Sequence, residues 1–309
     1  LPIFPALDGD APADACVVGL GGSGLSSIHA LLDLGLSVIG LDAGPVAGGA
    51  AGRNGGFLLG GTARFHHDAV AAMGRDAATR WYRATLAELD RFTEAFPDLV
   101  RRPGSLRIAD TPEELEDCRA QLEAMRADGL PVEPYEGREG RGLLFPADGT
   151  FQPLARCRRM AAGAAARGAR LYEQSAAQEV TGGMVRTATG TVTCRHALVL
   201  VDGRLEALAP ELADRVRTAR LQMVATAPAP EVRIPRPVYA RWGYEYYHQL
   251  PDGRVALGGF RDRAGSSEWT HDAVPTAGLQ VHLERYLRET IGATAPITPR
   301  WAARVAFTV

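Results

Sequence analysis

Six residues near the start of the chain, Gly19-Leu20-Gly21-Gly22-Ser23-Gly24, carry the spacing G-x-G-x-x-G. That spacing does chemistry in one setting, directly after a buried strand and at the mouth of a helix. Gly19 then permits a tight turn, Gly21 lets the backbone approach a pyrophosphate, and Gly24 lets helix and strand close on each other. The helix start, with Gly22 and Ser23 in it, turns its unpaired N–H groups toward the phosphates. Asp42, followed by Ala43, stands about 20 residues on, where a carboxylate accepts hydrogen bonds from a ribose and disfavours a 2′-phosphate.

The flanking text supplies the setting. Cys16–Val18 is apolar and β-branched, as a strand buried on both faces should be. The helix from Ser23 carries Leu25, Ile28, Leu31 and Leu32 at helical spacing, and Ser37–Leu41 is a second buried strand. Strand, glycines, helix, strand and acid together predict a parallel βαβ unit that binds a dinucleotide. This unit alone does not separate FAD from NAD.

The rest of the composition narrows the chemistry by exclusion. The 309 residues contain no lysine, so all 34 basic residues are arginine. A pyridoxal phosphate Schiff base and a Walker phosphate loop both need a lysine and are excluded. The four cysteines, Cys16, Cys118, Cys157 and Cys194, form no CxxC pair, so neither a zinc site nor a disulfide framework is expected. His66 and His67 are adjacent and diverge, so no metal site is expected there. A formal net charge of −2 points to neither nucleic acid nor an anionic membrane. The first residues lack the basic start and apolar core of a secretory signal, and no run of 18 apolar residues exists. A cytoplasmic enzyme is the expectation.

Further elements are predicted in order. A long helix spans 68–96, with Trp81, Leu86, Leu89, Phe92 and Phe96 on one side. A strand follows at 105–109, and a helix over 111–128 opens with Thr111-Pro112-Glu113-Glu114, a cap with acids in the first turn. Residues 129–148 are expected to loop across a surface. An Ala-rich helix (152–167), a strand (169–173), a hairpin (184–187 with 191–194) and a strand (196–201) restore the α/β rhythm. Residues 218–260 read as β structure, 272–291 as a helix and 301–309 as the start of a strand. The pattern is α/β plus antiparallel β: a nucleotide domain interrupted by a second domain on a mostly antiparallel sheet.

The loop Gly44–Gly61 has almost no side-chain bulk, so its backbone can come close to a ligand. It resembles the loop after the second strand in the D-amino-acid oxidase (DAO) superfamily. In the branch containing glycine oxidase and the amine or gamma-glutamylputrescine oxidases this loop commonly reads G-x-x-A-S-G-R-N-G-G. Ala51-Gly52-Arg53-Asn54-Gly55-Gly56 matches, with Ala51 where serine is usual. Three later stretches match in order: 149–180, 246–263 and 299–309.

The resemblance implies a Rossmann-like FAD-binding domain of the GR2 type. The Ala51–Gly56 loop would run along FAD with Arg53 and Asn54 near the ring, and Ala177 would meet the adenine through its backbone. The implied division is an FAD-binding domain of 13–75, 150–210 and 296–309, and a substrate-binding domain of 76–149 and 211–295. Two departures stand out. Leu200-Val201-Asp202-Gly203 replaces the usual A-T-N or A-T-G. The family pattern also continues past the position of Val309, and that C-terminal part is absent here.

The implied reaction is oxidation of the C–N bond of an amine or amino acid to an imine, by hydride transfer to flavin N5, with oxygen or a quinone as acceptor. Tyr244, Tyr246 and His248 share one face of a predicted strand, where they either meet substrate or pack a core. Tyr246, His248 and Arg304 are the catalytic candidates, Arg304 as a carboxylate clamp, with Arg241 and Arg261 as fallbacks. An NAD-dependent dehydrogenase and a flavoprotein-like binding scaffold without catalysis stand as alternatives.

Overall fold

The computed structural model describes residues 3–308. The chain begins with β1 (Ala11–Val18), α1 (Gly22–Asp33) and β2 (Val38–Leu41). A short α2 (Ala50–Arg53) and β3 (Phe57–Leu58) lead to α3 (His66–Met73), α4 (Arg75–Ala95), β4 (Val100–Arg101) and β5 (Ser105–Ala109). Next come α5 (Pro112–Ala127), β6 (Glu133–Gly137), β7 (Gly140–Phe145), β8 (Gly149–Phe151), α6 (Pro153–Ala166) and β9 (Arg170–Tyr172). The chain goes on with β10 (Glu179–Val180), β11 (Met184–Arg186), β12 (Thr191–Val199), β13 (Val216–Pro228), β14 (Val238–Ala240), β15 (Glu245–Gln249) and β16 (Arg254–Gly259). It ends with α7 (Ala277–Tyr286) and β17 (Ile297–Thr308).

The strands form two large sheets and a small one. The first runs β10-β11-β12-β1-β2-β9, and β1 lies parallel to both β12 and β2. Alternation along β1 decides its two cores. Val17 packs under α1 and α6 with Leu25, Ile28 and Ala161, whereas Cys16 and Val18 face Ile39, Val185 and Val192. The second sheet runs β17-β13-β16-β15-β14-β5-β7-β6 and is antiparallel except between β14 and β5. One of its faces, with Val224, Leu257, Tyr247 and Leu106, is covered by Leu279 and Leu283 of α7. On the other face Trp301, Met223, Gly258, Tyr246, Tyr239 and Arg107 stand as successive cross-strand neighbours. The small sheet, β3-β8-β4, lies along the chain between them.

The cap of α5 forms as its sequence requires: the Thr111 hydroxyl accepts the Glu114 N–H at 3.2 Å, and the Glu114 carboxylate accepts the Asp110 N–H at 2.9 Å. Other expectations are corrected. The helix expected over 68–96 is two helices, because Gly74 takes φ +83° between α3 and α4. Trp81 is 61% exposed, and Tyr82 turns inward in its place, beside the expected Leu89. Residues 133–145 are a hairpin that extends the second sheet beyond β5, where a surface loop was expected. The segments expected at 191–194 and 196–201 are one strand, β12. The helix expected over 272–291 begins at Ala277 and gives way to a wider π turn at Leu287–Ile291. The terminal strand, expected to return to the nucleotide domain, pairs with β13 from Ile297 to Thr308 at the edge of the second sheet.

Candidate functional site

The glycine turn has the geometry its spacing implies. Gly19 takes φ +105° and donates its N–H to the Leu41 carbonyl at 2.8 Å, and a Cβ there would lie 2.4 Å from the Leu200 carbonyl oxygen. A Cβ on Gly24 would lie 1.8 Å from the Gly19 oxygen, so only glycine lets α1 close on the turn. At the start of α1 no side chain caps the helix at Gly21, and its first turn holds no acid. The N–H groups of that turn are left for an anion. Asp42 accepts the Leu20 N–H at 2.7 Å and the Gly44 N–H at 2.9 Å, so it braces the turn while keeping lone pairs for a ribose. Burial pushes its carboxyl pKa up, against those two hydrogen bonds. Ala43 continues directly from it.

Arg156, on α6, was not singled out by the sequence reading. Its Nη1 lies 3.1 Å from where a Cβ on Gly22 would stand, its guanidinium lies 4.8 Å from the centre of the Phe92 ring, and its Nε is buried with no hydrogen-bond partner. A glycine cradle closed to side chains, an uncapped helix start and an unsatisfied arginine together fit a pyrophosphate. The only sequence signal for Arg156 is its place in the first turn of a helix, which does not show that α6 packs beside α1. Ala177 follows Ser175, whose N–H is donated to the Asp42 carbonyl at 2.7 Å, and among the described residues the Ala177 backbone makes no hydrogen bond. It is free to meet an adenine.

The Ala51–Gly56 loop is fastened by its own side chains. Asn54 accepts the Gly56 N–H at 2.9 Å and donates to the Ala51 carbonyl at 2.9 Å. Arg53 donates to the Ala302 carbonyl at 3.0 Å, and its own carbonyl accepts the Trp301 indole N–H at 2.8 Å. Thus both side chains hold the loop to itself and to β17. Gly52 and Gly56 leave no space for a side chain: a Cβ on either would lie 2.3 Å from the carbonyl oxygen of Ala47 or Phe151. Gly55 lies against Phe57 and Tyr246, with a Cβ position 3.4 Å from the Tyr246 ring.

Tyr246 and His248 come together at this loop. Phe57 meets Tyr246 edge-on at 5.8 Å, His248 at 5.3 Å and Tyr239 at 4.7 Å between ring centres. A cavity of about 570 Å³ opens beside them, lined by Arg53, Gly55, Met223, His248, Ala256 and Trp301. Burial lowers the His248 pKa to about 4, so its imidazole is neutral at pH 7. Burial raises the Tyr246 pKa, which keeps its hydroxyl protonated as a donor. Tyr244 is 40% exposed and stays at the rim.

Arg304 is not brought to the site. It lies three residues from Trp301, an odd step on a strand, so alternation turns it to the opposite face beside Arg220, where it donates to the His271 carbonyl. The fallbacks are engaged elsewhere: Arg241 pairs with Glu245 and Asp262, and Arg261 stacks on Trp269 and Phe307. Among the described residues no three His, Cys, Asp or Glu side chains converge on a metal position. No helix among them is long and apolar enough to cross a membrane.

The family of FAD dependent oxidoreductases designated DAO matches residues 14–308. Gamma-glutamylputrescine oxidoreductase of Escherichia coli (strain K12) is 30% identical over 283 residues, covering 83% of this chain and 66% of that protein. The chain therefore spans just under two thirds of that relative. Probable oxidoreductase OrdL of Rhizobium meliloti (strain 1021) is 28% identical over 338 aligned residues, covering 100% of this chain and 76% of that protein. Among solved structures, glycine oxidase from Geobacillus kaustophilus has the same fold, with a TM-score of 0.76 at 18% identity over 96% of this chain and 83% of its own.

Proposed function

The chain belongs to the DAO family of FAD-dependent oxidoreductases, and we propose that it oxidises the C–N bond of an amine or amino acid to an imine, which water then hydrolyses. FAD is the cofactor, which sets aside the NAD-dependent alternative. Bound there, FAD would supply the acceptor for a hydride, that is two electrons and one proton, from the carbon beside nitrogen. In this proposal the Gly19–Gly24 turn and Arg156 hold the pyrophosphate, Asp42 the ribose and Ala177 the adenine. The backbone of Gly52–Gly56 leads on toward the ring. The proposed reoxidant is oxygen or a quinone.

One observation carries the reading. The bare Gly55-Gly56 backbone lies against the sheet face that bears Tyr246 and His248, with a cavity of about 570 Å³ alongside. A carbon that loses hydride develops positive charge. A neutral His248 adds no opposing charge and can accept a hydrogen bond from a substrate N–H, while the Tyr246 hydroxyl can orient the substrate. The name of one relative specifies an acylated amine, gamma-glutamylputrescine, as its substrate, which favours amines in the proposal. The proposed compartment is the cytoplasm, in keeping with four buried free thiols. The proposed division keeps 13–75 and 150–210 for FAD and 76–149 and 211–295 for substrate, with β17 now joining the latter.

The test is the visible spectrum of the purified protein with and without added FAD. Flavin bands that an amine or amino acid bleaches under anaerobic conditions support the reading. Bands that no such compound bleaches leave a flavin-binding scaffold and overturn it.

A further inference from the structure

A second cavity, of about 360 Å³, lies on the same face of the second sheet, beyond Phe57 and Tyr239. Arg107 and Asp148 both line it, yet they form no ion pair. The Arg107 guanidinium makes no hydrogen bond to any described residue, and it lies 4.5 Å from the centre of the Phe65 ring. Asp148 is 4% exposed; its Oδ2 accepts the Ser105 hydroxyl at 2.6 Å and its Oδ1 the Gly60 N–H at 2.9 Å. Each carboxylate oxygen keeps a lone pair for a further donor. Tyr82 and Gln121 add polar groups to the wall.

Two opposite charges taken partly out of water, and not joined to each other, forgo the attraction that would offset their desolvation. A ligand that carries both charges restores it. The group of that description is an α-amino-acid zwitterion, with its carboxylate on the planar fork of Arg107 and its ammonium on Asp148. The cavity also has a fixed distance from the flavin loop. Tyr246, Tyr239 and Arg107 are cross-strand neighbours on three adjacent strands, so Arg107 stands two strand spacings, roughly 10 Å, from Tyr246. The same segment of chain lines both cavities, Gly52–Gly55 the first and Leu59–Arg64 the second. The rings of Phe57, Tyr239 and Tyr246 stand between them and offer apolar surface to a methylene chain.

We propose that the Arg107–Asp148 cavity binds the far end of an elongated substrate, and that this end is an α-amino-acid zwitterion while the reacting amine lies at Gly55 and Tyr246. The substrate class is an amine carried at the end of an amino-acid side chain or of a chain attached to one. This inference rests on the amine-oxidising reading above.

The test compares paired amines on the FAD-loaded protein. L-lysine is set against cadaverine, which lacks only its carboxylate. A diamine amide-linked to the side chain of L-glutamate is set against the free diamine. For the pair of matching length, wild type should favour the zwitterionic member in kcat/KM by tenfold or more. Arg107→Met keeps the stem over Phe65 and should reduce that ratio tenfold, and Arg107→Lys should recover part of it. A structural role for Arg107 would lower both members together and leave the ratio unchanged, which overturns the proposal, as does a wild-type ratio near one for both pairs. If no amine reduces the flavin, the reaction reading has failed, and calorimetry of the same zwitterionic compounds judges the cavity by itself. Binding to wild type that is lost in Arg107→Met then upholds the subsite. Equal binding to both, or binding to neither, overturns it.

Discussion

Burial shifts the pKa values of His248, on β15, and Asp148, in the turn before β8, in opposite directions. Burial moves His248 from 6.5 down to about 4 and Asp148 from 3.8 up to about 6. The neutral His248 favours the fold fully above 6.5, and that stability is lost as pH falls toward 4. The protonated Asp148 favours it fully below 3.8, and that stability is lost as pH rises through 6. Each amounts to about 3 kcal/mol, so the two nearly cancel in wild type between pH 4 and 6. Asp148→Asn should therefore lose stability as pH is lowered across that window, and His248→Gln should gain it. Urea midpoints across the window read the slopes, and parallel profiles for all three proteins would refute the assignment. Arg156 makes a separate prediction. If its guanidinium meets the pyrophosphate, Arg156→Met removes a charge-assisted bond of about 1.5–3 kcal/mol and weakens FAD binding by tenfold or more. Flavin fluorescence released on dilution measures this, and an unchanged affinity would show that Arg156 serves only to pack Phe92. Tyr246 and His248 were legible from alternation along one strand. Arg107, Asp148 and Arg156 were not, because their neighbours come from other elements.

The βαβ unit was legible because its reasons are local: β1 is apolar on both faces, and the glycines sit where a turn needs them. Two glycines show how far local reasoning reaches. Gly19 and Gly74 both take positive φ, but a Cβ on Gly19 meets the Leu200 carbonyl at 2.4 Å, whereas one on Gly74 meets nothing within 4 Å. Gly74→Ala should cost about 1–3 kcal/mol of backbone strain, because φ +83° with ψ 151° is a region side chains rarely adopt, and should leave FAD binding intact. Gly19→Ala should displace the turn from β12 and abolish FAD retention. Thermal melts and the flavin content of each variant check both, and equal melting temperatures would deny the distinction. The β6–β7 hairpin was read as a loop because Gly, Pro and Glu dominate it. Its ladder comes from β5, which alternation within 129–148 does not disclose.

Two sheets are clasped where Arg53 and β17 exchange hydrogen bonds, Arg53 to the Ala302 carbonyl and Trp301 to the Arg53 carbonyl. FAD, if held on the first sheet as proposed, should therefore stabilise both. Calorimetry should show one transition whose midpoint rises with free FAD as mass action requires. Two transitions, of which only one responds to FAD, would mean that the clasp does not couple the sheets. At this scale the sequence by itself determined that an N-terminal βαβ unit carries a glycine turn of the dinucleotide-binding spacing, that an antiparallel sheet accompanies it and that a bare glycine loop lies between them. Periodicity and glycine spacing are properties of neighbouring residues, so they survive without coordinates. Tertiary structure alone decided that β17 edges the second sheet, that Arg304 points away from the site, and that Arg156, Arg107 and Asp148 line the cavities. Which strands pair, and with what register, depends on cross-strand partners far apart in the chain, and a shift of one residue turns a side chain from one face to the other.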